Sequence, residues 1–190
     1  MSSTSYENKV YEKEQFPISD SYNQDFEKCK FINCNFSDLD LSDNEFIDCS
    51  FENCNLSLIK LKETSLKGVD FKNCKITGVN FNKCSDFMFS VSFENCVLDY
   101  STFSRKKMKS TKFIDCSLKD TDFSECELNN SHFKNCNLLN SVFIRTQLKN
   151  VDFTSSYNFI IDPELNNLKK AKFSLAGLSG LLNKYDLIIE

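Results

Sequence analysis

The chain is poor in glycine and proline, with four glycines and two prolines in 190 residues, and it has a single histidine. So few glycines and prolines argue against a loop-rich fold and predict segments joined by tight corners. No apolar run approaches the roughly 18 residues of a membrane-spanning helix. The polar start MSSTSYENKVYEKEQ also lacks the apolar core of a signal peptide. We therefore expect a cytoplasmic protein.

What the chain has in abundance is a phenylalanine, leucine, isoleucine or methionine at every fifth position. One series of these central residues runs from Phe26 to Phe81 and a second from Phe93 to Phe153. A period of five fits neither a helix nor a flat strand. A longer period of 20, with one step of 22, links a column of identical residues: Phe31, Phe51, Phe71, Phe93, Phe113, Phe133 and Phe153. The two periods together predict a four-sided coil with one pentad on each side.

Coils of this kind can stack about 4.8 Å apart through parallel β-pairing. In each pentad the central side chain and the small one two positions earlier point inward, which leaves no room for a substrate inside. Cysteines recur in the earlier slot, for example Cys34, Cys54 and Cys74. Their spacing resembles no zinc site, and cytosolic thiols stay reduced. We interpret them as small buried hydrophobic residues and predict no metal and no cofactor.

Several motifs, among them CKFIN-CNFSD, CSFEN-CNLSL, VSFEN-CVLDY and SHFKN-CNLLN, resemble the pentapeptide-repeat family over roughly residues 24 to 155. The resemblance implies an all-β fold, a right-handed quadrilateral parallel β-helix, to which we add a short C-terminal helix cap. The predicted parts are an N-terminal tail and cap (1–22), the β-helix (23–156), and a last partial coil with a helical cap and dimerisation segment (157–190). The repeats encode a shape and not a site.

Catalytic chemistry has little support in the sequence. His132 precedes Phe133 and should point outward from a flat wall, with no nucleophile prepared beside it. Acidic pairs such as Asp120/Asp122 fit solvated wall positions, and no phosphate-binding loop is present. We therefore predict a non-enzymatic protein-interaction scaffold whose partner the sequence does not name.

The alternative function follows from the resemblance. Qnr-like members imply DNA mimicry, in which an acidic rod binds DNA gyrase or topoisomerase IV and protects it from quinolones or toxins. A bacterial type II topoisomerase is the partner implied, and the candidate acidic patch is Asp38, Asp40, Asp43, Glu45 and Asp48. Charge alternates along the chain, however, and a basic group follows at Arg105, Lys106, Lys107, Lys109 and Lys112. Direct nucleic-acid binding by that group is the weaker hypothesis, because the net charge is −4.

Two further segments are candidate contact sites. The repeat is interrupted between Phe81 and Phe93, where Met88 is predicted to point inward and one or both of Phe87 and Phe89 to be exposed as a small apolar bump. The other interpretation is that both rings fold under a corner. At the C-terminus a helix is predicted from Ser174 to about Lys184. The tail-to-tail dimers of Qnr-like and MfpA-like proteins imply a homodimer through Leu178, Leu181, Leu182 and Tyr185.

Overall fold

Successive coils of the chain lie directly over one another in parallel register. The structure, a computed structural model, describes residues 4–13 and 23–188. Phe31 pairs with Phe51, and Phe51 with Phe71, so each coil contains 20 residues. The register then steps by 22, from Phe71 to Phe93, and returns to 20 at Phe113. The predicted parallel β-helix and its four-sided coil are confirmed.

Two of the four walls carry regular strands. Wall A is a sheet of four strands: β1 (Thr4–Glu7), β3 (Gln24–Glu27), β5 (Glu45–Ile47) and β7 (Ser65–Lys67). Wall B is a sheet of seven: β2 (Val10–Glu12), β4 (Lys30–Ile32), β6 (Ser50–Glu52), β8 (Val69–Lys72), β9 (Val91–Glu94), β10 (Lys112–Ile114) and β11 (His132–Lys134). Of the predicted N-terminal cap, residues 4–13 extend both walls by one more coil, while Phe16 and Ile18 lie outside the described residues.

The other two walls are held by single parallel bridges. On wall C, Asn35 bridges to Asn55 and Asn55 to Lys75, and on wall D Asp40 bridges to Lys60. A 3-10 turn at Phe81–Lys83 precedes the interruption. The chain ends in a helical segment made of a 3-10 turn (Leu175–Gly177), helix α1 (Ser179–Leu182) and another 3-10 turn (Asn183–Tyr185). None of the helices in the described part of the chain has the length and apolar character to cross a bilayer.

Corners are made by residues in the left-handed helical conformation, two positions after a central residue. The corner after wall B is formed by Asn33, Asn53, Asn73, Asn95 and Asn135, whose φ values lie between 51° and 56°. Asparagine tolerates this conformation better than most residues because its short polar side chain bonds locally. Glycine takes the same role at Gly68 and Gly78.

The interior is filled by stacked rings. On wall B the rings of Phe31 and Phe51 stack with centroids 4.7 Å apart, and the stack runs without a break from Tyr11 to Phe173. Rings of neighbouring walls meet edge to face, as Phe31 and Phe36 do at 5.6 Å. Both geometries are favoured by the ring quadrupole, so the core is a packed solid rather than a channel.

Small polar side chains in the earlier inward slot hydrogen-bond to the backbone of the preceding coil. Thr121 Oγ1 donates to the Leu98 carbonyl at 3.2 Å, and Ser156 Oγ donates to the Phe133 carbonyl at 2.7 Å. Cysteines occupy the same slot and direct their thiols to the same kind of carbonyl, as Cys126 does toward Phe103. This shared partner explains why cysteine, serine and threonine replace one another along a column.

Candidate interaction surfaces

The five acids of the predicted patch lie around one coil instead of on one face. Asp40 bridges to Lys60 on wall D, whereas Glu45 belongs to strand β5 of wall A. Asp38, Asp43 and Asp48 have positive φ values and form three successive corners of that coil. Because neighbouring walls face different directions, the five carboxylates present no single acidic surface. The predicted acidic patch is thus spread over two walls and three corners of one coil, and each corner acid is exposed.

Residues of opposite charge form ion pairs between neighbouring coils. Lys67 of one coil bonds Glu45 of the preceding one, and Lys72 lies 3.2 Å from Glu94. Farther along, Arg105 lies 3.3 Å from Glu125. A residue one coil away is directly overhead, so oppositely charged residues about 20 positions apart meet at the surface. These exposed pairs add little stability individually, but they neutralise part of the acidic charge.

At the interruption, Met88 points outward and not inward as predicted. Ser85 and Ser90 are both bonded to the preceding coil, through the carbonyls of Thr64 and Leu66. The chain between them bulges outward from wall A. Met88 is 66% exposed and has a φ of 57°, and Phe87 is 68% exposed. Phe89 is only 8% exposed and fills the inward position on wall A.

Of the two rings, Phe87 is exposed and Phe89 is buried, so the bump consists of Phe87 and Met88. The prediction that Met88 points inward is wrong. The reason is that the extra residues precede Phe89, so its larger and more rigid ring takes the core position. We call the exposed pair, Phe87 and Met88, the knob.

A buried lysine anchors the chain next to the knob. Lys106 is 1% exposed, and its Nζ donates to the Cys84 carbonyl at 2.5 Å and to Asp86 Oδ1 at 2.7 Å. The same ammonium lies 4.9 Å from the centre of the Phe89 ring. A buried charge is stable only with such partners. Lys106 thus belongs to the interior and not to the surface basic group in which the sequence analysis placed it.

The predicted C-terminal helix is present, broken into three short turns, and packs back on the last coil. Leu181 packs against the core and Leu182 is half-buried, whereas Leu178 is 41% and Tyr185 is 49% exposed. The hydroxyl of Tyr185 donates to Glu164 at 2.9 Å. Only part of the predicted dimerisation set is therefore available to a partner.

A three-residue ion cluster fixes this segment. Lys184 Nζ lies 2.8 Å from Asp162 Oδ1 and 2.7 Å from Glu164 Oε2. Hydrogen bonds from Lys184 hold the pKa of Asp162 and of Glu164 below their usual range. The same two carboxylates raise the pKa of Lys184. Because the cluster is solvent-exposed, it adds little to the free energy of unfolding, and its main effect is to orient the C-terminal segment.

Exposed apolar side chains concentrate near this end of the rod. The last complete coils expose six of them on walls C and D and the corners beside them: Leu139, Val142, Ile144, Tyr157, Ile160 and Leu165. We call this group the C-terminal apolar surface. The repeat pattern does not predict this surface, because its members occupy outward positions, where the repeat does not restrict the residue type.

The cysteines are part of the buried core. All ten cysteines are buried and unpaired as disulfides. Burial raises the pKa of Cys49, Cys84 and Cys126 to about 12, which keeps these thiols protonated and unreactive near neutral pH. Within residues 4–13 and 23–188, no group of histidine, cysteine, aspartate or glutamate side chains is placed to hold a metal ion.

A family model described as a pentapeptide repeat region matches residues 24–87 and 85–157, which together span most of the chain. The chain belongs to the pentapeptide-repeat family. No curated protein sequence matches it significantly.

Solved structures of pentapeptide-repeat proteins share the fold. A trypsin-treated variant of QnrB1, titled a plasmid-mediated fluoroquinolone resistance protein, is 19% identical over 99% of this chain and 99% of its own, with a TM-score of 0.50. A second QnrB1 variant is 21% identical over 98% and 99%, also with a TM-score of 0.50. HetL from the cyanobacterium Nostoc sp. strain PCC 7120 is 12% identical over 88% and 84%, with a TM-score of 0.42. At such identities the QnrB1 likeness establishes the architecture alone.

Proposed function

We propose that this pentapeptide-repeat protein is a non-enzymatic scaffold that binds other proteins through the outer walls of its β-helix. The observation that carries the proposal is the C-terminal apolar surface. Scattered single hydrophobic residues are normal on a soluble protein, but Leu139, Tyr157 and Ile160 line one groove beside the C-terminal segment, and such a group is typical of a contact surface. Because stacked rings fill the interior, any partner must bind outside the coil.

A second copy of the chain is one partner that this surface fits. Leu178 and Tyr185 remain exposed at the same end of the rod. A homodimer that buried them together with Leu139, Ile160 and Leu165 would cover a larger area than the predicted helical contact alone. Stable interfaces bury roughly 800 Å² on each partner, which favours a contact that includes these wall residues.

The experiment compares wild type with Leu139→Lys/Ile160→Lys by light scattering at tens of micromolar and by affinity capture from the native cell. We expect wild type to dimerise or to retain a defined partner, and the variant to lose that contact while keeping its circular dichroism spectrum. The matched control is Leu58→Ser/Tyr100→Ser, which removes exposed apolar side chains from a different place. A wild-type chain that is monomeric and captures nothing would exclude the scaffold function.

The alternative is a DNA mimic that binds DNA gyrase or topoisomerase IV and protects it from quinolones. It is supported by the exposed corner acids Asp38, Asp43 and Asp48, which make no ion pair with any described residue. The pairing of Asp40 and Glu45 with lysines and the dispersal of the five acids weigh against it. A gyrase supercoiling assay with and without a fluoroquinolone separates the two functions. Inhibition or drug protection that Asp38→Asn/Asp43→Asn/Asp48→Asn abolishes would favour mimicry.

A further inference from the structure

The knob differs from the rest of the outer surface because it projects from a wall that is otherwise flat. Phe87 and Met88 are both about two-thirds exposed, although both are large and apolar. Nothing in the repeat requires them to be apolar, since the inward position at this level is already filled by Phe89. Leaving two such side chains in water is unfavourable relative to burying them.

The knob is also held in place from inside. Asp86 and Phe89, which flank it in sequence, both contact the Lys106 ammonium, at 2.7 Å and 4.9 Å. Lys106 is buried and its partners include the Cys84 carbonyl, so its position is fixed by the core. A protrusion anchored on both sides loses little conformational entropy when it binds.

One lysine contacts the knob, and three more lie close to it in sequence or on the next coil. Lys67 of the preceding coil lies 5.1 Å from the centre of the Phe87 ring. Lys83 precedes the bulge, and Lys107 and Lys109 follow Lys106 on the next coil; all three are exposed. Lys67 and Lys109 have glutamate partners, whereas Lys83 and Lys107 make no ion pair within the described part of the chain. An apolar tip with unneutralised cations at its edge complements an apolar pocket with an acidic rim.

We propose that the knob inserts into an apolar pocket of a partner protein whose rim carries aspartate and glutamate. The inference rests on the proposed scaffold function and names the chemistry of one contact. A protein partner fits better than a phosphate-rich one. Glu45 and Glu127 already neutralise Lys67 and Lys109, and the exposed carboxylate of Asp86 would face the phosphates of a nucleic acid or an anionic membrane. A pocket can place its acids beside Lys83 and Lys107 and avoid these carboxylates.

The test selects binders from a phage library of random short peptides on the full-length protein, with counter-selection on Phe87→Ser/Met88→Ser. We expect enriched peptides that carry aromatic or aliphatic residues flanked by aspartate or glutamate. Their affinity should fall by about tenfold or more in the knob variant, as for a hot-spot contact. Lys83→Glu/Lys107→Glu should weaken them several-fold, and Leu139→Ser/Ile160→Ser should leave them unchanged.

Lys106→Met provides an independent check, because it removes no exposed side chain. If Lys106 positions the knob, the selected peptides bind this variant more weakly, amide exchange of residues 85–90 accelerates, and Lys106→Arg restores part of the affinity. A purely structural lysine would change stability but not the affinity of the folded fraction. The folded fraction is measured by circular dichroism before each titration.

Other outcomes overturn the inference in distinguishable ways. Peptides that bind wild type and the knob variant equally, but lose affinity in Leu139→Ser/Ile160→Ser, would leave the scaffold function standing and remove the knob from it. Knob-dependent binding of oligothymidine or of phosphatidylserine vesicles, without acidic peptides, would assign the knob to a nucleic acid or a membrane. Enrichment of basic or uncharged peptides would refute the acidic rim.

Discussion

The rings of Phe71 and Phe93 stack with centroids 5.2 Å apart and 10° between their planes, although 22 residues separate them where every other coil has 20. Wall B therefore continues through the interruption without a change in its core. The extra length is absorbed on wall A, where the chain bulges and Phe89 takes the inward position.

Lys106 should be the most sensitive charged residue of this region. Lys106→Ala would leave the Cys84 carbonyl without its donor and open a cavity, so we expect a loss of about 2–4 kcal/mol in the free energy of unfolding. Lys107→Ala, one residue away and exposed, should change it by less than about 0.5 kcal/mol. Urea unfolding of both variants measures the difference, and equal effects would show that Lys106 is not held as described.

Serine and threonine occupy the same inward slot as the cysteines, so they indicate which substitutions of a buried cysteine should be tolerated. Cys126 and Thr146 occupy the same slot one coil apart, and their side chains reach the carbonyls of Phe103 and Phe123 at 2.8 Å and 2.9 Å. Cys126→Thr should therefore stay within about 1 kcal/mol of wild type in unfolding free energy, whereas Cys126→Ala should lose about 1–3 kcal/mol. Thermal and urea unfolding of the pair test this, and a more stable alanine variant would refute the hydrogen-bonding role.

Much of the architecture could be predicted because the inward positions repeat. The columns of Phe31 and Cys34 define the length of a coil and the number of its sides, and both agree with the structure. Lys106 was equally predictable from spacing, since it stands two positions before Met108 in the inward slot. Its charged neighbours, Arg105 and Lys107, favoured a surface position instead.

The outward positions were harder to interpret, for two physical reasons. Acids that are neighbours in sequence, such as Asp38 and Asp43, lie on different corners, so proximity along the chain does not mean a shared surface. The choice between Met88 and Phe89 depended on where the two extra residues are absorbed, which the repeat does not specify. Asn33 and its column mark the left-handed corners, a signal that the sequence did contain.

Buried thiols should make the protein sensitive to alkali. Burial raises the pKa of Cys49, Cys84 and Cys126 to about 12, against about 8.5 in an unfolded chain. A raised folded-state pKa stabilises the fold fully below the unfolded value, and this contribution is lost as pH rises toward 12. Each thiol should lower the unfolding free energy by about 1.4 kcal/mol per pH unit in that window.

The comparison that isolates the thiols uses Cys49→Ser/Cys126→Thr, because tyrosines and lysines also titrate in alkali. Urea midpoints of wild type should fall more steeply between about pH 9 and pH 11 than those of the variant. Parallel curves would mean that the thiols ionise in the folded protein as readily as in the unfolded chain.

The C-terminal segment depends on two glycines that face Phe159. A Cβ on Gly180 would overlap the Phe159 carbonyl oxygen, and one on Gly177 would lie 2.7 Å from Cζ of its ring. The Gly180 carbonyl also accepts a hydrogen bond from the Ile161 N–H at 3.0 Å, so the backbone cannot move away freely. Gly180→Ala should therefore release the segment from the last coil, while Ser179→Ala, at an exposed neighbouring position, should not. Limited proteolysis should cut the glycine variant after Lys184 much faster than wild type, with the β-helix itself intact. If both variants resist equally, the segment tolerates the displacement, and the close approach to Phe159 is not what holds it against the coil.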